Sequence, residues 1–285
     1  MKLLEADLSY FIYLEKGFAG EKKFDNMIKE HISIEHIVLN DLLLEHNNTK
    51  FQIDSLLFLS NTIHFFEIKN NEGDYYIDND LWYKSPKKEI KNPLHQLKRS
   101  TTLLRGLLQE LRINTQIVEH LVFVNPEFHL YNASMYLPIT YPTQLNRMMD
   151  KLNSLNNSKI NENHIKLANQ LLNLHINEPS YFRLPDYTFD QLTKGITCAN
   201  CDAFIDRYQK TTIRCNHCGF KENITNAVMR SIDEYSLLFP DRKITKNTIQ
   251  EWCKIASHKT IKRILTSNYK QLGKSVSTHY VKQGN

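Results

Sequence analysis

The spacing of apolar side chains changes once near the start of the chain. Residues 17–32 carry them at helical spacing, which predicts a first helix. The period then falls to two, which predicts consecutive antiparallel strands joined by short polar turns. The predicted strands are 36–44, 50–59 and 62–69, and the predicted turns are Asn47-Asn48 and Ser60-Asn61.

A second helix and a buried strand follow. Asn92-Pro93 has the composition of an N-cap followed by proline at the first helical position, and a leucine stripe continues from it. The apolar run from Ile117 to Val124 is short enough for a buried strand. This order predicts an α/β core with a mixed sheet flanked by helices. Residues 142–177 then predict two asparagine-rich helices that act as a spacer.

Polar residues gather on the second hairpin. If its turn is simple, Asp54 faces Glu67 and Gln52 faces Lys69, all on one face of the sheet. Two carboxylates at opposed positions repel each other, so we expect a cation or a proton between them.

The neighbours of this pair favour a metal site. Apolar residues cover both faces of the hairpin, with Leu56 expected on the face of Asp54 and Ile53 on the other. Carboxylate oxygens suit Mg²⁺ or Mn²⁺, which activates water for phosphodiester hydrolysis. Lys69 could orient or help to deprotonate that water, or stabilise developing negative charge. The competing interpretation is a surface strand pair with solvated charges.

Four short blocks in order carry a family resemblance: Gly17 to Glu21, Gln52-Ile53-Asp54, Glu67-Ile68-Lys69-Asn70 and Asn92-Pro93-Leu94-His95-Gln96. Over about residues 15–130 they resemble the NERD (nuclease-related) domain, a branch of the PD-(D/E)xK restriction-endonuclease-like superfamily. The resemblance implies a Mg²⁺-dependent nuclease in which Asp54 and Glu67 bind the metal and Lys69 serves the hydrolytic water.

The same resemblance implies two further site residues, Glu21 as a metal ligand and Gln96. Glu21 also lies on the apolar side of the first helix, although a glutamate there equally suits the positive end of the helix dipole. Gln96 could simply cap or pack the second helix. Ile53 stands where the superfamily name leads one to expect proline.

Cysteines form the most specific local motif. Cys198-x-x-Cys201 and Cys215-x-x-Cys218 are separated by 13 residues, which predicts one tetrahedral Zn²⁺ site. Four protein ligands leave no open position, so the zinc is expected to be structural and the segment to resemble a zinc ribbon. A redox function of the Cys-x-x-Cys pairs is the alternative.

Charge is distributed unevenly. The total of +5 combines −3 over residues 1–180 with +8 over 181–285, which marks the C-terminal part as a surface for a polyanion. There, helices at 247–255 and 258–265 and a hairpin around Gly273 resemble a helix-turn-helix, winged by the hairpin. A helical cap with a solvated basic face is the alternative.

Candidate nucleic-acid contacts lie in two places. The stretch before the second helix interleaves aromatic residues with lysines, which suits an approach surface but equally a solvated basic loop. The candidate residues are Lys84, Lys87, Lys88 and Lys98 near the core, and Lys259, Lys262 and Arg263 on the candidate recognition helix.

The predicted organisation has four parts: a nuclease domain at 1–135, a helical spacer at 136–190, a zinc ribbon at 191–222 and a basic DNA-binding module at 223–285. The predicted function is a metal-dependent nuclease, and the alternative is a non-catalytic DNA-binding protein on an endonuclease-like scaffold. The helix-turn-helix pattern favours DNA over RNA, and a homodimer would fit nucleases that pair to cut both strands. Without a membrane-length apolar run or signal peptide, we expect a cytoplasmic protein.

Overall fold

A computed structural model describes residues 4–59, 62–155, 159–177, 185–206, 208–209 and 211–282. They belong to two compact units, Leu3–Pro185 and Asp186–Asn285, called the N-terminal and C-terminal units below. The predicted turn Ser60-Asn61 lies outside the described residues.

The N-terminal unit has four α-helices and nine strands among its described residues. They are α1 (Glu5–His31), β1 (Ile37–His46), β2 (Thr49–Leu59), β3 (Thr62–Lys69), β4 (Gly73–Asp78), β5 (Leu81–Lys84), β6 (Lys88–Ile90), α2 (Pro93–Glu110), β7 (Gln116–Phe123), β8 (Phe128–Tyr131), β9 (Ile139–Thr140), α3 (Leu145–Asn153) and α4 (Glu162–Asn173). The predicted helices and strands of the core are present, although α1 begins twelve residues before the start predicted at residue 17.

The main sheet is mixed and has the order β1-β2-β3-β7-β9. Strands β1, β2 and β3 are antiparallel, whereas β7 lies parallel to β3. A parallel neighbour requires a crossover, and α2 lies in the one from β3 to β7. Asn92 caps α2 as predicted, since its side chain accepts a hydrogen bond from the Leu94 amide at 2.9 Å. The predicted α/β class is confirmed.

One prediction about the faces of β2 is wrong. Ile53 packs in the same apolar cluster as Leu56, although strict alternation predicts opposite faces. The cause is a local interruption of the β1–β2 ladder: Leu42 pairs with Ile53 and Asn40 with Ser55, but the intervening pair is absent from the register. The β1 residue at that point, Asp41, has a positive φ of 51°. The alternation of β2 therefore shifts by one residue beside Asp54.

A second sheet forms where the sequence analysis indicated only a polar aromatic stretch. Strands β4, β5, β6 and β8 pair in the order β6-β5-β4-β8, and they bury Tyr75 and Trp82 against the core. The strands are three to six residues long and carry many polar residues, so period-two alternation is hard to see in them.

The two asparagine-rich helices are confirmed, and both pack on the N-terminal unit. Met149 and Leu152 of α3 join the apolar cluster formed with α1, and Leu171 of α4 joins the cluster on the other side of the sheet. The backbone just after α4 also bonds to β1, from the Ile176 amide to the Leu43 carbonyl at 2.9 Å. The boundaries of the four predicted parts stay predictions.

Among its described residues, the C-terminal unit combines a small sheet, three α-helices and a hairpin. Its elements are β10 (Tyr208–Gln209), β11 (Thr212–Arg214), β12 (Lys221–Asn223), α5 (Ile224–Leu238), α6 (Lys246–Cys253), α7 (His258–Asn268), β13 (Tyr269–Leu272) and β14 (His279–Lys282). One apolar cluster contains Cys198 and Cys215 as well as Ile232 of α5, Trp252 of α6 and Leu265 of α7. The cysteine segment and the helices therefore share a core.

Candidate metal and nuclease site

Asp54 and Glu67 meet because of the register between β2 and β3. The ladder from Leu59–Thr62 to Ser55–Phe66 has the predicted register, and Asp54 and Glu67 are the next residues on each strand after its last pair. The Asp54 carboxylate accepts a hydrogen bond from the Ile68 amide at 2.7 Å, which ties the two strands together beside the site.

The two carboxylates are withdrawn from water. The Glu67 side chain has no exposed surface and Asp54 retains 9% of its own. Burial, followed by the charge of Asp54, raises the pKa of Glu67 to about 7. Burial also raises the pKa of Asp54, against the opposing effect of the Ile68 hydrogen bond. The Ile68 amide and Lys69 therefore offset only part of the cost of charging these buried carboxylates.

Lys69 is the cation that touches this pair. Its Nζ lies 2.5 Å from Glu67 Oε1 and 3.3 Å from Gln96 Oε1. Burial acts against the charged form of Lys69, but the charges of Glu67 and Asp54 outweigh it and raise the pKa of the ammonium. Lys69 therefore remains a cationic hydrogen-bond donor, which favours charge stabilisation over proton abstraction among its predicted roles.

One oxygen of the Glu67 carboxylate accepts no hydrogen bond from the described residues. Glu67 Oε1 is used by Lys69, whereas the buried Oε2 has no hydrogen-bond partner among the described residues. A buried carboxylate oxygen without a partner is costly, and divalent cations prefer such oxygen ligands. Asp54 and Glu67 therefore fit a Mg²⁺ or Mn²⁺ ion.

Glu21 reaches the same region from α1. The preceding residue, Gly20, lies so close to β3 that an added Cβ would be 2.6 Å from the Cβ of Asn70. Burial, followed by the charges of Asp54 and Asp41, raises the pKa of Glu21 to about 7. The structure thus places Glu21 in the electrostatic field of the carboxylate pair.

Two further acids were missed by the sequence analysis. Asp25 follows Glu21 by one helical turn, and its pKa is raised by burial and by the charges of Asp41 and Asp54. The turn-like spacing of Glu21 and Asp25 was the available signal. The second acid is Asp41 of β1. Its Oδ1 accepts a hydrogen bond at 2.9 Å from Gln52, the residue predicted opposite Lys69.

The four cysteines converge as predicted. Among the described residues, Cys198, Cys201, Cys215 and Cys218 are the set of at least three potential ligands whose atoms all lie within 4.8 Å of one another. The sulfur atoms of Cys198 and Cys218 are 3.6 Å apart, and those of Cys201 and Cys215 are 3.7 Å apart. Zn–S bonds of about 2.3 Å in a tetrahedron place sulfurs about 3.8 Å apart. The cluster therefore fits zinc.

Small strands frame the cysteine cluster in the manner of a zinc ribbon. Strands β10, β11 and β12 form an antiparallel sheet next to the second cysteine pair, and Thr197 pairs with Phe204 around the first. Arg230 of α5 donates to the Thr197 carbonyl at 2.8 Å and to Glu222 at 2.9 Å. This arginine ties α5 to both halves of the ribbon.

The candidate recognition helix has one buried and one exposed side. Ser257 caps α7 as predicted by accepting from the Thr260 amide at 3.2 Å. Ile261 and Leu265 are buried. The basic residues Lys259, Lys262 and Arg263 are exposed.

The elements around α7 follow the order of a winged helix. Helices α5, α6 and α7 precede the antiparallel hairpin of β13 and β14, and Ile244, between α5 and α6, bridges Tyr280 of β14. The predicted hairpin around Gly273 is present. The lysines predicted near the core, Lys84, Lys87, Lys88 and Lys98, are all exposed.

Fold and site together define an α/β domain with a buried carboxylate pair and a lysine at the end of one strand. Residues 16–125 match the family model described as NERD, nuclease-related domain. This part of the chain is a NERD domain, and it contains all five site residues inferred from the resemblance. No curated protein and no solved structure matches the chain. No helix among the described residues is long and apolar enough to cross a membrane.

Proposed function

We propose that the protein is a nuclease that depends on Mg²⁺ or Mn²⁺, hydrolyses phosphodiester bonds of DNA and holds its substrate partly through the C-terminal unit. The observation that carries this proposal is the buried Glu67 carboxylate, with one oxygen bound to Lys69 and the other without a partner among the described residues, beside Asp54. The NERD match supports a nuclease-related function for the same segment.

The proposed roles follow from the contacts. Asp54 and Glu67, with Glu21 nearby, would hold the ion, which when bound supplies a Lewis acid and lowers the pKa of attacking water. Lys69 donates hydrogen bonds as a cation and would stabilise negative charge on the phosphate. Gln96 accepts from Lys69 at 3.3 Å and positions its ammonium.

DNA binding by the C-terminal unit is proposed from the form of α7. An exposed basic helix capped by Ser257 can enter the major groove of B-form DNA, whereas the deep, narrow major groove of A-form RNA excludes it. Lys259, Lys262 and Arg263 would contact phosphates and base edges. The four cysteines would hold a structural Zn²⁺ that supports the same unit.

The test is cleavage of plasmid and linear DNA with Mg²⁺ or Mn²⁺. Asp54→Asn should reduce cleavage to background, and Lys69→Met should reduce it by about 100-fold because charge stabilisation is lost. Glu89→Gln removes an exposed carboxylate of β6 and should cleave like the unaltered protein. Equal activity in all four proteins would contradict the assignment of this site.

A folding control separates lost chemistry from lost structure. Burial disfavours the charged form of Asp54, and the neighbouring carboxylates repel it. Without added divalent metal, Asp54→Asn should therefore melt no lower than the unaltered protein, as followed by circular dichroism. A lower melting temperature would make the loss of cleavage uninformative, and Glu67→Gln would then take its place.

The second candidate is a non-catalytic DNA-binding protein, and the winged-helix order of the C-terminal unit favours it. This function predicts salt-sensitive DNA affinity that Asp54→Asn leaves unchanged, together with the absence of cleavage under any divalent metal. Metal-dependent cleavage that disappears in Asp54→Asn would reject it.

A further inference from the structure

The first helix extends beyond the part of the protein on which it packs. Its buried residues are Gly20, Phe24 and Ile28, all in the C-terminal half. Tyr13, almost two turns before Gly20, has 72% of its surface exposed. An exposed tyrosine of this kind presents a large ring face to any ligand at this end of the helix.

Tyr13 lies on the side of α1 that faces the sheet. Tyr13, Gly17, Gly20 and Phe24 are spaced by four, three and four residues, which places them on one side of a helix. Phe24 is buried in the cluster beneath the sheet, so the direction of this side is known. Tyr13 therefore continues the packing side of α1 past the point where the packing ends.

That point is next to the candidate site. The Asn70 side chain donates to the Lys16 carbonyl at 2.7 Å, and Asn70 directly follows Lys69. Tyr13 precedes Lys16 by one helical turn. Tyr13 therefore lies one helical turn from the point at which α1 meets the residue that follows Lys69.

Two lysines, Lys16 of α1 and Lys84 of β5, lie near Glu72. Lys16 Nζ lies 2.5 Å from Glu72 of the β3–β4 connection. Lys84 of β5 lies over the ring of Tyr75, 5.6 Å from its centre. Lysines that follow a phosphate backbone, next to an aromatic ring that can stack on a base, are the two components of single-strand binding sites.

We propose, on the basis of the nuclease function proposed above, that Tyr13 stacks on an unpaired base adjacent to the phosphate at Lys69. In duplex DNA the faces of the bases are covered by their neighbours, so a ring beside the site gains its stacking contact only from an unpaired strand. The substrate class is therefore DNA with a single-stranded segment, and Tyr13 is a specificity-determining residue.

The test is binding of fluorescein-labelled DNA by the full chain, measured by anisotropy without added Mg²⁺ or Mn²⁺. The probes are a single strand of about 20 nucleotides, longer than the ~4–16 nucleotides of typical single-strand sites, and its blunt duplex. The basic residues of α7 would bind either probe, so they are first replaced through Lys259→Ala, Lys262→Ala and Arg263→Ala. In this background, Tyr13→Ala should weaken single-strand binding by about 5-fold or more and leave duplex binding within about 2-fold.

Two variants make the result specific to stacking. Tyr13→Phe keeps the ring and should bind within about 2-fold of the parent. Phe11→Ala removes a ring that is 52% exposed on the opposite side of α1, and it should leave binding unchanged on the same scale. Equal losses in Tyr13→Ala and Tyr13→Phe would show a hydroxyl contact, and equal losses in Tyr13→Ala and Phe11→Ala would show a general helix effect. Either result, or no loss in Tyr13→Ala, overturns the proposal.

This experiment is separable from the nuclease assay because it needs no cleavage. A protein that cleaves DNA but shows no effect of Tyr13→Ala would retain the proposed function and lose this inference. A protein that shows the Tyr13 effect without cleaving any DNA would lose the nuclease assignment alone.

Discussion

Two glycines of α1 illustrate how much a single residue decides here. Gly20 lies against the end of β3, where an added Cβ would come 2.6 Å from Asn70 Cβ and 3.3 Å from a Val124 methyl carbon. Gly17, three residues earlier, has no atom within 4 Å of the same added position. The close approach at Gly20 lets α1 bring Glu21 to the carboxylate pair.

We therefore expect opposite effects from the same substitution at these positions. Gly20→Ala should lower the free energy of unfolding by about 1–3 kcal/mol because the methyl group clashes with Asn70. Gly17→Ala should raise it by up to about 1 kcal/mol because alanine favours the helix and has room. Urea denaturation measures both. Equal effects of the two substitutions would contradict the close approach.

At the scale of elements, the main sheet determines which groups meet. The shift of alternation at Asp54 and the parallel pairing of β3 with β7 are properties of strand pairs and not of single residues. The same pairing brings two histidines together: His64 Nδ1 and His120 Nε2 share a hydrogen bond at 2.9 Å. The His120 ring also stacks on Phe66, with ring centres 4.7 Å apart.

This histidine pair predicts a loss of stability in acid. Burial lowers the pKa of His64 to about 4, and burial followed by the charge of His64 lowers that of His120 to about 3. Both values lie below that of an unfolded histidine, about 6.5, so the unfolded state binds more protons as the pH falls. Each histidine should therefore cost about 2 kcal/mol of unfolding free energy between about pH 7 and pH 5.

The measurement is urea denaturation at both pH values, with Trp82 as the reporter of the N-terminal unit in a Trp252→Phe background. His120→Gln should reduce the difference between the two pH values by about 2 kcal/mol. His129→Gln removes an exposed histidine of β8 and should leave the stability difference between the two pH values unchanged. An unchanged difference in His120→Gln would show that the pair is not responsible.

At the scale of the whole molecule, the chain has two cores, and each holds one of its two tryptophans. Trp82 is buried in the N-terminal unit. Trp252 is buried in the C-terminal unit, in the cluster that includes Cys198 and Cys215. A metal held by the cysteines thus supports the core of the C-terminal helices, since metal binding to such sites is coupled to folding.

Removal of zinc is therefore expected to destabilise one unit selectively. In the Trp82→Phe background, chelation should lower the unfolding temperature reported by Trp252 fluorescence by at least about 10 °C, and so should the double substitution Cys198→Ser and Cys201→Ser. In the Trp252→Phe background, the same treatments should change the unfolding temperature reported by Trp82 fluorescence by no more than about 2 °C. Parallel shifts of both reporters would contradict independent cores.

Much of the architecture could be predicted from local patterns. Period two and period 3.6 identified the helices and strands of the core, and the spacing of the second hairpin predicted the register in which Ser55 pairs with Phe66. The cysteine spacing predicted the cluster, because two short loops carry their ligands together wherever they fold. Such features depend on residues that are close together in the sequence, so local patterns are enough to predict them.

The remaining features depend on contacts between distant segments. The sequence alone determined the order of the core elements, the hairpin register that leads to Asp54 and Glu67, and the cysteine set. Only the tertiary structure decided that Ile53 changes face beside Asp54, that Asp25 and Asp41 add charge to the site, and that one Glu67 oxygen is buried without a partner among the described residues. The physical reason is that burial and electrostatic coupling arise from packing between distant segments. The periodicity of apolar residues and the spacing of motifs describe only local structure.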